Sequence, residues 1–181
     1  MINALVCLAN DFEETEGIVP VDIMRRAGIE VTVAGVGSKT ITSAHGINIV
    51  CDKIIEECEQ VYDIIVLPGG PGAINLSRDF DVMRRIINIA QTGLVCAICA
   101  APAVVLGNTG LLEGKEVVCY PGTEVAAPTV KFVKNKRCIV DGNIITAAGP
   151  GVAVEFAFKI VEIAISKERS DAEAKGFLAK F

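Results

Sequence analysis

Short apolar runs punctuate this chain: Ile64–Leu67 and Leu94–Ile98 are unbroken, Ile2–Leu8 nearly so, and Ile29–Val36 is β-branched. Continuous rather than alternating apolarity marks strands covered on both faces. Between them lie segments of helical periodicity, about Glu14–Ala27, Asp79–Gln91 and Gly151–Ser166, and a charged helix closes the chain. Strands alternating with helices predict a doubly wound α/β domain built on a mostly parallel sheet. Ile47–Cys51, Glu116–Cys119 and Val130–Val133 read as further short strands. Arg137–Val140 and Ile144–Ala147, joined at Asp141-Gly142, read as a small antiparallel hairpin. Residues 1–181 are expected to form one domain.

The net charge of −5 argues against a nucleic-acid partner, which needs a basic face. No apolar run reaches membrane-span length, and no basic, cleavable leader precedes the first strand, so the expected compartment is the cytoplasm. Seven cysteines, an odd number, argue against a disulfide framework. Cys96 and Cys99 form a C-x-x-C pair. No second pair follows, and the sole histidine is His45, so a zinc site is not expected, and no cofactor is called for. Cys96 falls inside a strand, unlike the redox pairs found at helix starts.

In open parallel sheets, sites lie beyond the carboxyl ends of the strands. Three segments qualify: Asn10–Glu16, Pro68–Gly72 and the turn at Cys99. Cys99 stands where an apolar strand stops and a helix, Ala100–Leu106, begins. A nucleophile on such an elbow is presented at the top of the sheet. The helix start is expected to stabilise a thiolate and lower the thiol pKa; the alternative is a small core cysteine. Pro68-Gly69-Gly70 lacks the phosphate-loop lysine and G-x-G-x-x-G spacing. It reads as an oxyanion hole or as a tight strand exit. Glu13, Glu14 and Glu16 are either complements to the helix dipole or include a carboxyl that faces the thiol. In the second case desolvation and like charge would keep it protonated. No histidine follows Cys99, which excludes an amidotransferase-type Cys-His pair.

Several segments together resemble the ThiJ/PfpI superfamily, in its parkinsonism-associated deglycase (DJ-one-like) branch. They are Glu13-Glu14-Thr15-Glu16, Val19 to Gly28, Val31 to Gly35, Val66-Leu67-Pro68-Gly69-Gly70, Ala97 to Pro102, Gly149-Pro150-Gly151 and Glu155-Phe156-Ala157. The resemblance implies a flavodoxin-like sandwich and a homodimer. It places Cys99 on the family's reactive cysteine and Glu16 on its protonated partner. Gly69, Gly70 and Ala100 fall on the backbone N–H groups that line the anion pocket. Arg26 and His45 fall where the family has basic groups near the pocket or across the dimer interface. His45 replaces a family arginine, Tyr120 stands where some members have a pocket histidine, and Ala101 replaces a glycine. Ala100, rather than histidine, after the cysteine weakens a peptidase reading.

The implied activity is a cysteine-dependent, glutathione-independent glyoxalase or deglycase. Its partners are small 2-oxoaldehydes such as methylglyoxal, or early glycation adducts. The alternative implied by the same residues is an oxidative-stress sensor or chaperone-like protein in which Cys99 is oxidised to a sulfinate without turnover.

Overall fold

Alternate residues of the central strands feed two different helical layers. In a computed structural model describing residues 1–180, Ala4, Val6 and Leu8 of β1 (Asn3–Leu8) pack toward α1 (Glu14–Arg26) and α5 (Ala153–Ala164), against Ile23, Met24, Phe156 and Ile160. Leu5 and Cys7 go to the opposite layer, where Val82 and Ile86 of α3 (Phe80–Ile89) meet Ile65 and Leu67 of β6 (Ile64–Leu67). Every residue of β6 is buried, as an unbroken apolar run requires.

The other main-sheet strands are β2 (Glu30–Gly35), β5 (Lys53–Ile54), β7 (Leu94–Ile98), β8 (Cys138–Asp141) and β9 (Ile144–Ala147). The sheet order is β5-β2-β1-β6-β7-β9-β8; all pairings are parallel except β8 with β9. The doubly wound α/β expectation therefore holds. The order places β1, β6 and β7 side by side, so their carboxyl-end loops converge. The predicted hairpin is real, but it forms one edge of the main sheet.

Some details differ from the sequence reading. A separate antiparallel ribbon, β3 (Thr40–Thr42) with β4 (Asn48–Val50), was only half anticipated. The expected strands Glu116–Cys119 and Val130–Val133 reduce to a single bridge, Val117 with Phe132. Their backbone is satisfied otherwise: the Val118 N–H donates to Thr146 Oγ1 at 3.0 Å, and the Glu116 N–H to Asp141 Oδ2 at 2.9 Å. A short helix, α2 (Ala73–Arg78), precedes α3, whose Asp79 N-cap accepts the Val82 N–H at 3.0 Å. The elbow helix α4 spans only Ala101–Val104. The C-terminal helix α6 (Lys167–Gly176) follows α5. Among the described residues, no helix is long and apolar enough to cross a membrane.

Truncating Ile65, fully buried in the middle strand β6, should cost about 2–5 kcal/mol in urea-denaturation experiments on Ile65→Ala. A loss under about 1 kcal/mol would mean that this layer is loosely packed.

Candidate functional site

Cys99 departs from ordinary strand or helix geometry. Its φ is 64°, a left-handed conformation costing a non-glycine residue on the order of 1–2 kcal/mol. Two backbone bonds hold it there: its N–H donates to the Ala147 carbonyl at 2.8 Å, and its carbonyl accepts the Tyr120 N–H at 2.7 Å. The sharp turn aims the side chain back over the sheet ends. The N–H groups of Gly70 and Ala100 hydrogen-bond to the sulfur and favour its anionic form.

Glu16, in the first turns of α1, is fully buried. Its Oε2 accepts the Gly69 N–H at 2.8 Å, while Oε1 has no aligned donor and the carboxyl couples to the Cys99 thiol. The Gly69 carbonyl in turn accepts the Glu13 N–H at 3.1 Å, so Gly69 is stitched twice to the start of α1. A Cβ at Gly69 would lie 2.7 Å from both the Ala100 nitrogen and the Cys99 Cβ, and 2.9 Å from Glu16 Oε2. Only glycine leaves room for thiol and carboxyl to meet. The Gly69 N–H is thus taken up by Glu16 and Gly69 does not line the cleft, whereas Gly70 and Ala100, grouped with it in the expected anion pocket, do.

Burial pushes the Glu16 carboxyl up to about 7, and the Glu13 charge adds to this; hydrogen bonds from Cys99 and Gly69 pull the other way. The expectation of a raised carboxyl is met. The expectation of a depressed thiol is not. Burial and the Glu16 carboxylate push Cys99 up to about 12, against the two backbone donors. The reason is geometric: a four-residue helix carries little dipole, and the thiol is 7% exposed beside a potential anion. With both pKa values raised, Glu16 is the group of this pair that changes charge near neutrality.

The thiol faces a cleft of about 500 Å³ whose walls include Glu13, Gly70, Ile74, Ala100, Tyr120 and Pro150. Ile74, Thr123 and Pro150 carried no distinct functional signal in the sequence, apart from Pro150 within a quoted segment. His45 sits outside the lining on the β3–β4 turn, with Nδ1 3.0 Å from Glu14 Oε2 and 3.9 Å from Glu13 Oε2. The Glu14 hydrogen bond, then the Glu14 and Glu13 charges, raise its pKa. Arg26 is placed elsewhere, at the far end of α1, paired with Asp22 at 2.9 Å and over the Phe177 ring at 5.5 Å. It does not line the cleft. Cys96 is fully buried, and the seven cysteines are free thiols. Glu13, Glu14 and His45 bring three ligand-type atoms within 4.8 Å of one another, an arrangement the His45–Glu14 ion pair already explains.

The fold recurs in known proteins. The DJ-1/PfpI family model matches residues 2–163. The chain belongs to the DJ-1/PfpI family. It is 38% identical over 184 residues to Drosophila melanogaster protein dj-1beta, covering 99% of this chain and 98% of that one. The glutathione-independent glyoxalase DJR-1.2 of Caenorhabditis elegans is 32% identical, covering 96% and 94%. The solved structure of oxidized Toxoplasma gondii DJ-1 superposes with a TM-score of 0.93 at 35% identity, covering both chains completely. The flavodoxin-like architecture is thus shared with DJ-1 structures.

Glu16 gives stability a pH signature. A folded pKa of about 7 against an ordinary 4.5 means the folded chain keeps a proton that the unfolded chain releases. Stability should therefore fall as pH rises between those values. Glu16→Gln, which keeps an acceptor for Gly69, should exceed wild type at pH 8 by on the order of 2–3 kcal/mol and match it near pH 4. Urea melts at both pH values test this; a difference independent of pH would contradict the raised carboxyl.

Proposed function

We propose that this DJ-1/PfpI protein is a cofactor-free glyoxalase acting on small 2-oxoaldehydes, with Cys99 as nucleophile and Glu16 as proton carrier. The observation that carries the reading is the fully buried Glu16 carboxyl, titrating near neutrality, coupled to a thiol that also receives two backbone N–H groups. The name of the Caenorhabditis elegans relative supports it.

The chemistry balances without an external oxidant. The Cys99 sulfur bonds to the aldehyde carbon as its proton passes to Glu16; the carbonyl electron pair moves to oxygen, which Gly70 and Ala100 N–H groups stabilise and which then takes that proton from Glu16, restoring the carboxylate. Glu16 carboxylate next takes the C1 proton and returns it to C2, while the C1 hydroxyl proton passes to the C2 oxygen through the enediol. This carries the ketone to an alcohol and C1 to a thioester. Water cleaves the thioester to the 2-hydroxy acid and restores the thiol. Early glycation adducts would enter at the same hemithioacetal, the Cys99 sulfur replacing at C1 the amine or thiol of the adduct, which departs with the proton carried by Glu16. We further propose a homodimer, since Ile18 on α1 and Ile47 and Val50 on the ribbon side are exposed apolar groups.

A redox-sensing role is the second reading. Glu16 Oε1 lacks an aligned donor and, when protonated, can hydrogen-bond to an oxygen added to Cys99; the similar Toxoplasma gondii DJ-1 structure is of the oxidized protein.

Methylglyoxal without glutathione should be turned over many times by wild type, with lactate as product, and not by Cys99→Ser. Glu16→Gln should lose roughly 10²–10⁴-fold in kcat. The wild-type kcat/KM should rise with pH through about 7, as Glu16 ionises. No turnover, together with selective peroxide oxidation of Cys99, would establish the sensor instead. Light scattering at micromolar concentration tests the dimer, and a monomer mass would refute it.

A further inference from the structure

A second, larger cavity adjoins the segment 119–124 that also lines the Cys99 cleft. It has a volume of about 650 Å³, within the range of small-molecule sites. Val118, Val125, Pro128 and Phe132 contribute apolar walls, and Lys134 and Lys136 stand on its rim. Residues 131–137 hold four cations and no acid, in a chain of net charge −5. Arg137 is paired with Glu155 at 2.8 Å, but Lys134 and Lys136 have no ion-pair partner among the described residues. The one lining acid, Glu124, already accepts the Gly122 N–H at 2.6 Å. Val125, on the cavity wall, is 79% exposed and so open to an apolar ligand.

We propose that this cavity is a second binding site, for a monocarboxylate with an apolar tail. The tail would lie on Val125 and Phe132, where burial is favourable, and the carboxylate would pair with Lys134 and Lys136. An uncharged ligand would leave both ammonium groups unpaired, and a small polar acid would leave the apolar wall uncovered. The site is distinct from the Cys99 cleft but shares a wall with it: Cys119 and Glu124 face the second cavity, whereas Tyr120 and Thr123 face the first.

Calorimetric titration of octanoate into the intact protein tests the assignment, with octan-1-ol as the uncharged comparison. Saturable one-to-one binding of octanoate is expected, with octan-1-ol weaker. The surface double variant Lys134→Gln/Lys136→Gln should bind octanoate roughly tenfold more weakly. The Cys99→Ala variant should retain binding, with methyl NMR shifts at Val125. Absence of saturation at millimolar octanoate, unchanged affinity in the lysine variant, equal binding of the alcohol, or loss of binding in Cys99→Ala would each overturn the proposal.

Discussion

The left-handed backbone of Cys99 is the constraint on which the site depends. A side chain there is strained, and only a scaffold that grips both of its peptide groups can hold it. Ala147 at the end of β9 and Tyr120 in the long crossover loop supply that grip, so strands and loop distant in sequence meet at one residue. The sheet order then does the rest. With β6 beside β7 and β1 beside β6, the glycine pair and the acidic helix start arrive at the sulfur without any long excursion of chain.

Within that frame, chemistry rests on the exclusion of water more than on helix polarity. A buried carboxyl and a buried thiol each resist ionisation, and closeness makes double ionisation costlier still. The pair therefore holds onto a proton that a solvated pair would lose. The Glu16 proton is lost near neutrality, and the two backbone N–H groups at sulfur act against the burial that disfavours its anion. Gly69 makes the arrangement sterically feasible by leaving empty the space that any Cβ would fill.

Much of this was legible in the sequence because burial on both faces leaves a plain trace, as at Ile64–Leu67 and Leu94–Ile98. The elbow was legible for the same reason: an apolar run ended abruptly at a cysteine followed by small residues and a proline. What escaped had no such trace. β3 has three residues and a single buried side chain, Ile41, too short for any periodicity. Val117 and Phe132 sit in β-branched or apolar segments, yet one bridge replaces a ladder because side chains of Thr146 and Asp141 take up neighbouring N–H groups. Among three glutamates at one helix start, residue type alone did not select Glu16; the resemblance did. Its full burial, against the partly exposed Glu13 and Glu14, comes from packing between strands distant in the chain. Arg26, about three turns along α1 from Glu16, does not line the cleft, because its helix runs away from the sheet ends that form the cleft.

The sheet also ends quietly. β5, at one margin, contributes two residues, and β8, at the other, contributes four before the turn at Gly142. The Asp141 carboxylate is already engaged by the Glu116 N–H, drawing the crossover loop toward that margin. A foreign strand seeking an open row of peptide groups would find little length to zip against on either side. A chain whose interior is almost wholly β-branched and aliphatic thus presents its stickiest segments only in the middle of the sheet, where both flanks are taken.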